Sequence, residues 1–293
     1  MTTLSKSDEA ARADQLWNYT SKLRGSGGNH FPQRVLRAEP LAVGDKLKVK
    51  MFYLDKNMYY DNTPLREITG PCLRPGGLAL TRRGLELCAF SSDARLLDVG
   101  CGPGASLALL QERGFTCIGL DISRRLLHEG PAGVARLQGD IASLPLAEAS
   151  IDGILCECVL CLSESPVRVV QEWARVLRPG GRVLLSNIVG RPGLGEDAGQ
   201  PGGGFLCADV TPSLPCLEEM LEAQGLRVLY SEDHSGLLAQ LAAQIIWHFG
   251  SLAAFADLWG ESAASVPGIC RFFRDNSSQI GYALVIAEKR KEK

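Results

Sequence analysis

A glycine-rich turn near the middle of the chain has the residue types and spacing of a ligand-binding loop. The β-like run 95–99 is followed by Gly100, Gly102 and Gly104 and then by a helical pattern. Glycine allows a tight turn close to a ligand, and a helix that begins there presents unpaired N–H groups. Asp121, which ends the next predicted strand, is placed to accept hydrogen bonds from the hydroxyls of a ribose. The pattern predicts a nucleotide-like ligand.

Other residues narrow the kind of ligand, because residues 100–105 also satisfy the dinucleotide pattern G-x-G-x-x-A. Asp98 would repel a pyrophosphate, whereas it suits a ligand that carries an ammonium group. Asp140 ends the third predicted strand, where it can accept a hydrogen bond from an adenine amino group or cap a helix. The segment 177–183, Leu-Arg-Pro-Gly-Gly-Arg-Val, ends a helix and begins a fifth strand.

Taken in order over about residues 95–187, these motifs resemble the class I S-adenosylmethionine-dependent methyltransferases. The resemblance implies an α/β fold with a doubly wound, seven-stranded, mostly parallel Rossmann-like sheet. It also implies S-adenosylmethionine as the cofactor and an in-line methyl transfer, in which the protein mainly orients the reactants and excludes water. The cofactor-binding residues that it implies are Asp98, Gly100, Cys101, Gly102, Gly104, Asp121, Ile122, Asp140, Ile141 and Cys156.

The predicted elements agree with such a sheet, because short β-like runs alternate with helical patterns from residue 94 onward. We predict strands at 95–99, 116–120, 135–138, 153–156, 182–186, 227–230 and 282–287. A helical insertion over about 235–276 precedes the last strand, which we expect to run antiparallel. Residues 1–58 are predicted to form a partly ordered extension, and 59–293 the methyltransferase domain.

Ten cysteines are the unusual feature of this 293-residue chain. The first 20 residues lack the apolar run of a secretory signal, so we expect a cytoplasmic protein whose free thiols act mostly as small buried hydrophobes. We expect such core positions for four of them: Cys101, Cys117, Cys156 and Cys161. The spacing after the fourth strand lacks the second pair of a structural zinc site, so no metal site is predicted.

Two other thiols have counterparts in arsenite methyltransferases, a branch of the same class that resembles this chain at Cys158 and Cys207. The resemblance implies a thiolate-bound trivalent metalloid whose lone pair attacks the methyl group without a general base. The chain departs from that branch, since Glu157 replaces the usual Asn and no matching N-terminal cysteine pair is present. The candidate catalytic residues are therefore Glu157, Cys158 and Cys207, and the acceptor stays open.

The competing prediction is an O- or N-methyltransferase, which needs a base when the acceptor must lose a proton. The candidates are Glu157, His248 and Tyr60. His248 shares a helical stripe with Gln240 and Gln244 that we expect to face solvent. The aromatic residues around it have the spacing of core residues, namely Trp247, Phe249, Phe255 and Trp259.

A second resemblance covers residues 68–81, which look like the lead-in of a little-characterised group of bacterial class I methyltransferases. Arg74 and Thr81 in this segment could close over the cofactor carboxylate, or Arg74 could cap a turn.

The net charge of −2 offers no field that would attract nucleic acid or an anionic membrane. The apolar stretch 237–259 is interrupted by polar residues every four positions, which indicates an amphipathic helix and not a membrane span. We therefore predict a small-molecule substrate, with no nucleic-acid or membrane partner and no assignment of oligomeric state. A non-catalytic cofactor-binding module remains the alternative of a different class.

Overall fold

The computed structural model describes residues 36–37, 64–163, 165–190, 212–258 and 280–291. Over these residues eight strands form one sheet in the order β1-β4-β3-β2-β5-β6-β8-β7. The strands are β1 Leu36–Arg37, β2 Arg95–Val99, β3 Thr116–Asp121, β4 Ala135–Gln138, β5 Ile151–Glu157, β6 Leu177–Gly190, β7 Leu226–Asp233 and β8 Ile280–Lys289. Because β1 is only a two-residue pairing at the edge, the predicted seven-stranded fold is confirmed.

Eight α-helices connect the strands within the described residues. They are α1 Arg66–Thr69, α2 Gly77–Cys88, α3 Ala105–Glu112, α4 Arg124–Glu129, α5 Pro166–Val176, α6 Leu214–Ala223, α7 Gly236–Phe249 and α8 Leu252–Asp257. Helix α5 shows why they form: Pro166 stands at its start, and Val169, Trp173 and Val176 recur on one face and are fully buried. No helix of the described segments is long and apolar enough to cross a bilayer.

The sheet separates two apolar cores, and the strand residues alternate between them. Leu97 and Val99 of β2 face the core that α5 and α6 cover, whereas Leu96 faces the core that α2 and α3 cover. Strands β2 to β6 are parallel, and β8 runs antiparallel to both β6 and β7, as predicted. The strand order reverses between β2 and β5, which is where ligands bind in open α/β sheets.

Strand β6 begins earlier than the predicted 182–186. Ile151 pairs with Leu177 and Gly153 pairs with Arg182, so three more residues bulge out of β6 than out of β5. Gly180 has φ +81° in this bulge, a conformation that favours glycine. The Pro-Gly-Gly segment therefore lies within the strand as a bulge and does not precede it as a turn.

The aromatic residues of the insertion divide between core and surface. Phe255 is buried and its ring lies 5.1 Å from that of Phe249. The expectation of a core position is wrong for Trp247, which is 92% exposed. The buried positions of α7 are Leu238, Leu241 and Ile245, and Trp247 follows the last by two residues, about 200° around the helix. Trp259 lies outside the described residues.

The same helix exposes Gln240, Gln244 and His248 to solvent, as expected for the polar stripe. Of the predicted insertion, the structure describes α7 and α8, and 259–279 lie outside the described residues. The predicted N-terminal extension also lies outside them, apart from the two residues of β1.

Candidate functional site

The glycine turn follows β2 at the point where the strand order reverses. Gly100, Gly102 and Gly104 have φ values of +71°, +52° and +83°, all in the left-handed region that favours glycine. A side chain at Gly100 would collide with Val159, whereas no atom lies within 4 Å of the position that a Cβ on Gly102 would take. The turn is therefore packed from beneath at its first glycine and open at its second, which leaves room for a ligand against the backbone.

Asp121 braces this turn through its carboxylate. One oxygen accepts a hydrogen bond from the Gly102 N–H at 2.8 Å, and the other accepts from the Ser123 N–H at 2.8 Å. Both carboxylate oxygens are thus engaged by backbone N–H groups at the start and end of this region. Holding the turn is a role that sequence reasoning missed, and ribose binding by Asp121 stays a prediction.

Asp98 is buried at the end of β2 with one oxygen, Oδ2, that has no hydrogen-bond partner. Its pKa is raised to about 8, chiefly by burial and also by the nearby Glu157 carboxylate, against the opposing effect of Arg74. A buried oxygen without a partner costs free energy that a donor would recover. An ammonium group would supply both the donor and the compensating charge, so Asp98 fits the amino end of S-adenosylmethionine.

Three buried polar side chains surround the buried carboxylate of Glu157, and together the four residues form a closed ring from four segments of the chain. The Arg74 guanidinium lies 2.8 Å from Glu157 Oε2. The Thr81 hydroxyl donates to Oε1 at 2.7 Å, and the Ser106 hydroxyl donates to Oε2 at 2.5 Å. Arg74 Nη2 also donates to both hydroxyls, at 2.6 Å and 3.0 Å. The ring ties the segment before α2, helices α2 and α3, and the end of β5 together.

The ring assigns Glu157 a positioning role, since both carboxylate oxygens are engaged and the residue is only 8% exposed. It also answers the question about Arg74 in part, because Nη1 donates to the Cys72 carbonyl at 3.1 Å and thereby caps a turn. The third nitrogen, Nε, is buried without a partner. Arg74 thus retains one donor that fits an anionic group such as the cofactor carboxylate.

Cys158 follows β5 in a left-handed conformation, with φ +60°. Its N–H donates to the Ser186 carbonyl at 2.7 Å. Hydrogen bonding by the nearby Cys161 thiol is the largest cause that lowers the Cys158 pKa; burial opposes it, and Arg74 and Tyr282 act in the same direction as Cys161. This thiol is therefore poised to lose its proton at the ends of the strands.

The other cysteines differ from Cys158. Cys101, Cys117 and Cys156 are buried in the cores, as expected, and burial raises the pKa of Cys101 and Cys156. Cys161 meets that expectation only in part, because it is partly exposed. Cys207 lies outside the described residues. No cluster of three or more metal-ligating side chains occurs in the segments that the structure describes.

Asp140 and Ile141, the residues predicted to frame the adenine, follow β4 on the same edge of the sheet as the glycine turn. Asp140 Oδ1 accepts from the Ala142 N–H at 2.8 Å in a local turn, and no described helix begins there, so the structure does not show the alternative of a helix cap. Ile141 and the predicted cofactor residue Ile122 are half-buried. Adenine binding by these residues stays a prediction.

Sequence reasoning missed Ser106 and Tyr282, and of the described base candidates Glu157 lies at the site whereas His248 does not. Ser106 is the second residue of α3 and is buried, so a polar residue on the core side of the helix after the turn was the available signal. His248 is exposed and lies 3.0 Å from Glu67 Oε2. Tyr60 lies outside the described residues.

This chain is similar in sequence and in fold to several known proteins. The family described as a methyltransferase domain matches residues 97–185. Methyltransferase GfsG of Streptomyces halstedii is 31% identical over 192 residues, which cover 61% of this chain and 69% of that protein. The biotin biosynthesis bifunctional protein BioHC of Cellvibrio japonicus is 38% identical over 98 residues, covering 32% of this chain and 20% of that protein.

An arsenite methyltransferase of Halobacterium salinarum is 33% identical over 112 residues, covering 34% of this chain and 29% of that protein. The chain thus spans 20% to 69% of the length of these three curated relatives. Among solved structures, the [4+2]-cyclase SpnF has a TM-score of 0.66 at 24% identity, covering 80% of this chain and 94% of that one. A Haemonchus contortus phosphoethanolamine N-methyltransferase, solved with S-adenosylhomocysteine, has a TM-score of 0.62 at 20% identity, covering 82% and 60%. At these identities the structural likeness concerns the fold.

Proposed function

The chain belongs to the class I S-adenosylmethionine-dependent methyltransferases, and from this premise we propose that it transfers a methyl group to a small-molecule acceptor. The observation that carries the proposal is the pair of unpartnered buried atoms beside the glycine turn, Asp98 Oδ2 and Arg74 Nε. They are an acceptor and a donor of opposite charge. An amino acid end group, with one ammonium and one carboxylate, would satisfy both of them.

The cofactor supplies a methyl group that its sulfonium has already made electrophilic. The chain's own contribution is orientation and exclusion of water. Asp98 would hold the ammonium, the backbone of 100–104 would bind the methionine end, and Asp121, which accepts from the Gly102 N–H, would also accept from the ribose. The ring around Glu157 fixes the end of β5, where the acceptor would meet the methyl group.

The engagement of Glu157 bears on the acceptor. Within the described residues, the Glu157 carboxylate is held by three donors, and His248 is paired at the surface with Glu67. An acceptor that is already a good nucleophile, such as a carboxylate, a thiolate or an uncharged amine, would need no base from these residues. We therefore favour such acceptors over an unactivated hydroxyl.

The test is incubation of the protein with methyl-labelled S-adenosylmethionine and a fractionated metabolite extract. We expect one fraction to take up label while S-adenosylhomocysteine accumulates in equal amount. Calorimetric titration of the cofactor accompanies this experiment. Binding without label transfer to any fraction would favour the non-catalytic module, and absence of binding would contradict the proposal.

A thiol-bound metalloid is the second candidate acceptor, and the observation in its favour is the lowered pKa of Cys158 next to the Cys161 thiol. Soft thiolates are suitable ligands for trivalent arsenic. If this is the acceptor, Cys158→Ser and Cys207→Ser will each abolish turnover of arsenite and leave cofactor affinity intact. Turnover that survives either substitution would reject the metalloid.

A further inference from the structure

Cys158 and Cys161 form a pair of cysteines that methyl transfer to an acceptor other than a thiol-bound metalloid does not require. They occupy a Cys-x-x-Cys segment that follows β5, Cys158-Val-Leu-Cys161, and Cys161 lies in the short 3₁₀ turn that begins at Leu160. Both are partly exposed. β6 holds the segment from below: the Cys158 N–H donates to the Ser186 carbonyl at 2.7 Å, and the Cys161 N–H donates to Asn187 Oδ1 at 3.2 Å.

Val159, one of the two residues between Cys158 and Cys161, contacts the glycine turn. The Val159 side chain packs against Gly100, so closely that a methyl group added to that glycine would overlap it. The Val159 carbonyl accepts from the Leu162 N–H at 2.9 Å, which makes Val159 part of the short 3₁₀ turn that carries Cys161. A change in the geometry of the Cys158–Cys161 segment must therefore alter the packing beneath Gly100.

We propose that Cys158 and Cys161 are a reversible dithiol site that a small-molecule disulfide oxidises, and that closing their disulfide weakens binding of the cofactor through Val159 and Gly100. Cys158 is the attacking thiol, because the Cys161 thiol, the Tyr282 hydroxyl and the Arg74 charge all favour its thiolate form. Cys161 resolves the intermediate because it is the second thiol of the same Cys-x-x-Cys segment. The proposal rests on cofactor binding at the glycine turn and is independent of the acceptor's identity.

The chemistry balances with oxidised glutathione as the oxidant. The Cys158 thiolate attacks one glutathione sulfur, forming a mixed disulfide and expelling one glutathione thiolate. The Cys161 sulfur then attacks the Cys158 sulfur of that mixed disulfide, forming the intramolecular disulfide and expelling the second glutathione thiolate. The two protons of the protein thiols end on the two glutathione molecules, so the protein loses two electrons and the oxidant gains them.

The experiment uses the full chain, reduced and freed of reductant, then incubated with oxidised glutathione. Free thiols are alkylated, and mass spectrometry of the intact protein and its peptides locates each disulfide. We expect the loss of two hydrogens, confined to the peptide that carries both cysteines and reversed by dithiothreitol. Calorimetry should show a roughly tenfold weaker affinity for S-adenosylmethionine in the oxidised protein. By linkage, saturating cofactor should oppose the oxidation by the same factor.

Three variants make the result specific. Cys161→Ser should stop at the mixed disulfide on Cys158, and Cys158→Ser should remove the reaction at this site. Cys216→Ser is the matched control, because Cys216 is exposed on α6, and it should behave as the unaltered chain does.

A mixed disulfide that persists in the unaltered chain, or two thiols that both stay alkylatable, would overturn the proposal. So would a disulfide that forms without any change in cofactor affinity. The reduced protein is titrated first: failure to bind cofactor at that stage would contradict the proposed function as well, whereas tight binding followed by any of the three outcomes above would contradict the dithiol site alone.

Discussion

Asp98 and Glu157 end neighbouring parallel strands, yet their surroundings are opposite. The Glu157 carboxylate is held by one guanidinium and two hydroxyls, whereas Asp98 keeps a buried oxygen without a partner. Both Glu157 oxygens already have partners within the protein, whereas Asp98 Oδ2 gains a partner only when a ligand binds. Of these two buried acids on one edge of the sheet, Glu157 contributes to stability and Asp98 to ligand binding. Breaking the Glu157 ion pair should therefore lower the free energy of unfolding, whereas substituting Asp98 should weaken cofactor binding.

The greatest loss of stability is expected when the ion pair between Arg74 and Glu157 is broken. Arg74→Ala leaves a buried carboxylate without its cation, and we expect the free energy of unfolding to fall by about 3–5 kcal/mol. Urea denaturation followed by circular dichroism measures this. Arg83→Ala is the matched control, since the Arg83 pair with Glu232 lies at the surface and its loss should change little.

The double variant Arg74→Met with Glu157→Gln sharpens the first prediction. It removes both charges, and we expect it to recover much of the stability that Arg74→Ala loses. If the single and double variants were equally unstable, packing of the Arg74 stem would be the cause, and the role given to the ion pair would be wrong.

Substitution of Asp98 should instead weaken cofactor binding without lowering stability. Asp98→Asn removes the charge opposite the cofactor ammonium, and we expect the Kd for S-adenosylmethionine to rise by roughly tenfold to a hundredfold, the equivalent of about 1.5–3 kcal/mol. The unliganded protein should keep its stability or gain some, because the neutral amide carries no charge that burial disfavours. Calorimetric titration and thermal unfolding of the same samples check both halves. A large loss of stability with unchanged affinity would exchange the roles assigned to the two acids.

The raised pKa of Asp98 predicts a pH dependence with a definite sign. The folded, unliganded protein keeps a proton on Asp98 up to about pH 8, whereas the unfolded chain releases it near the ordinary value of 3.8. The contribution of this group to stability is therefore greatest below pH 4 and is lost as the pH rises toward 8. Cofactor binding should release nearly one proton and tighten by up to about tenfold between about pH 6 and 7.

Calorimetry in two buffers of different ionisation enthalpy measures the released proton. Asp98→Asn is the control and should release none. Proton release that persists in this variant would move the titration to another group.

The smallest effect is expected where the thiol pair meets β8. Tyr282→Phe removes the hydroxyl that contacts Ser186 Oγ at 3.2 Å and the Cys158 thiol. We expect a stability loss of about 0.5–1.5 kcal/mol and a higher pKa for Cys158, read from the pH dependence of its alkylation rate. An unchanged alkylation profile would show that the hydroxyl does not stabilise the thiolate.

Much of the glycine-turn region could be predicted because its determinants are local. Strands β2 and β4 have the predicted bounds, and the turn needs only three glycines in five positions after a buried strand. The antiparallel last strand also followed from the order of elements. The ring around Glu157 could not be predicted, because its hydroxyls lie 51 and 76 residues away in the sequence and no periodicity links them.

The sequence was sufficient for the positions of most strands, the glycine turn and the class of ligand, because the short-range pattern of apolar residues and glycines carries that information. The pairing of Glu157, the unpartnered buried oxygen of Asp98 and the hydrogen bond from Gly102 to Asp121 appear only in the folded structure. The physical reason is that the state of a buried polar group depends on which donors and charges the fold brings within about 3 Å of it.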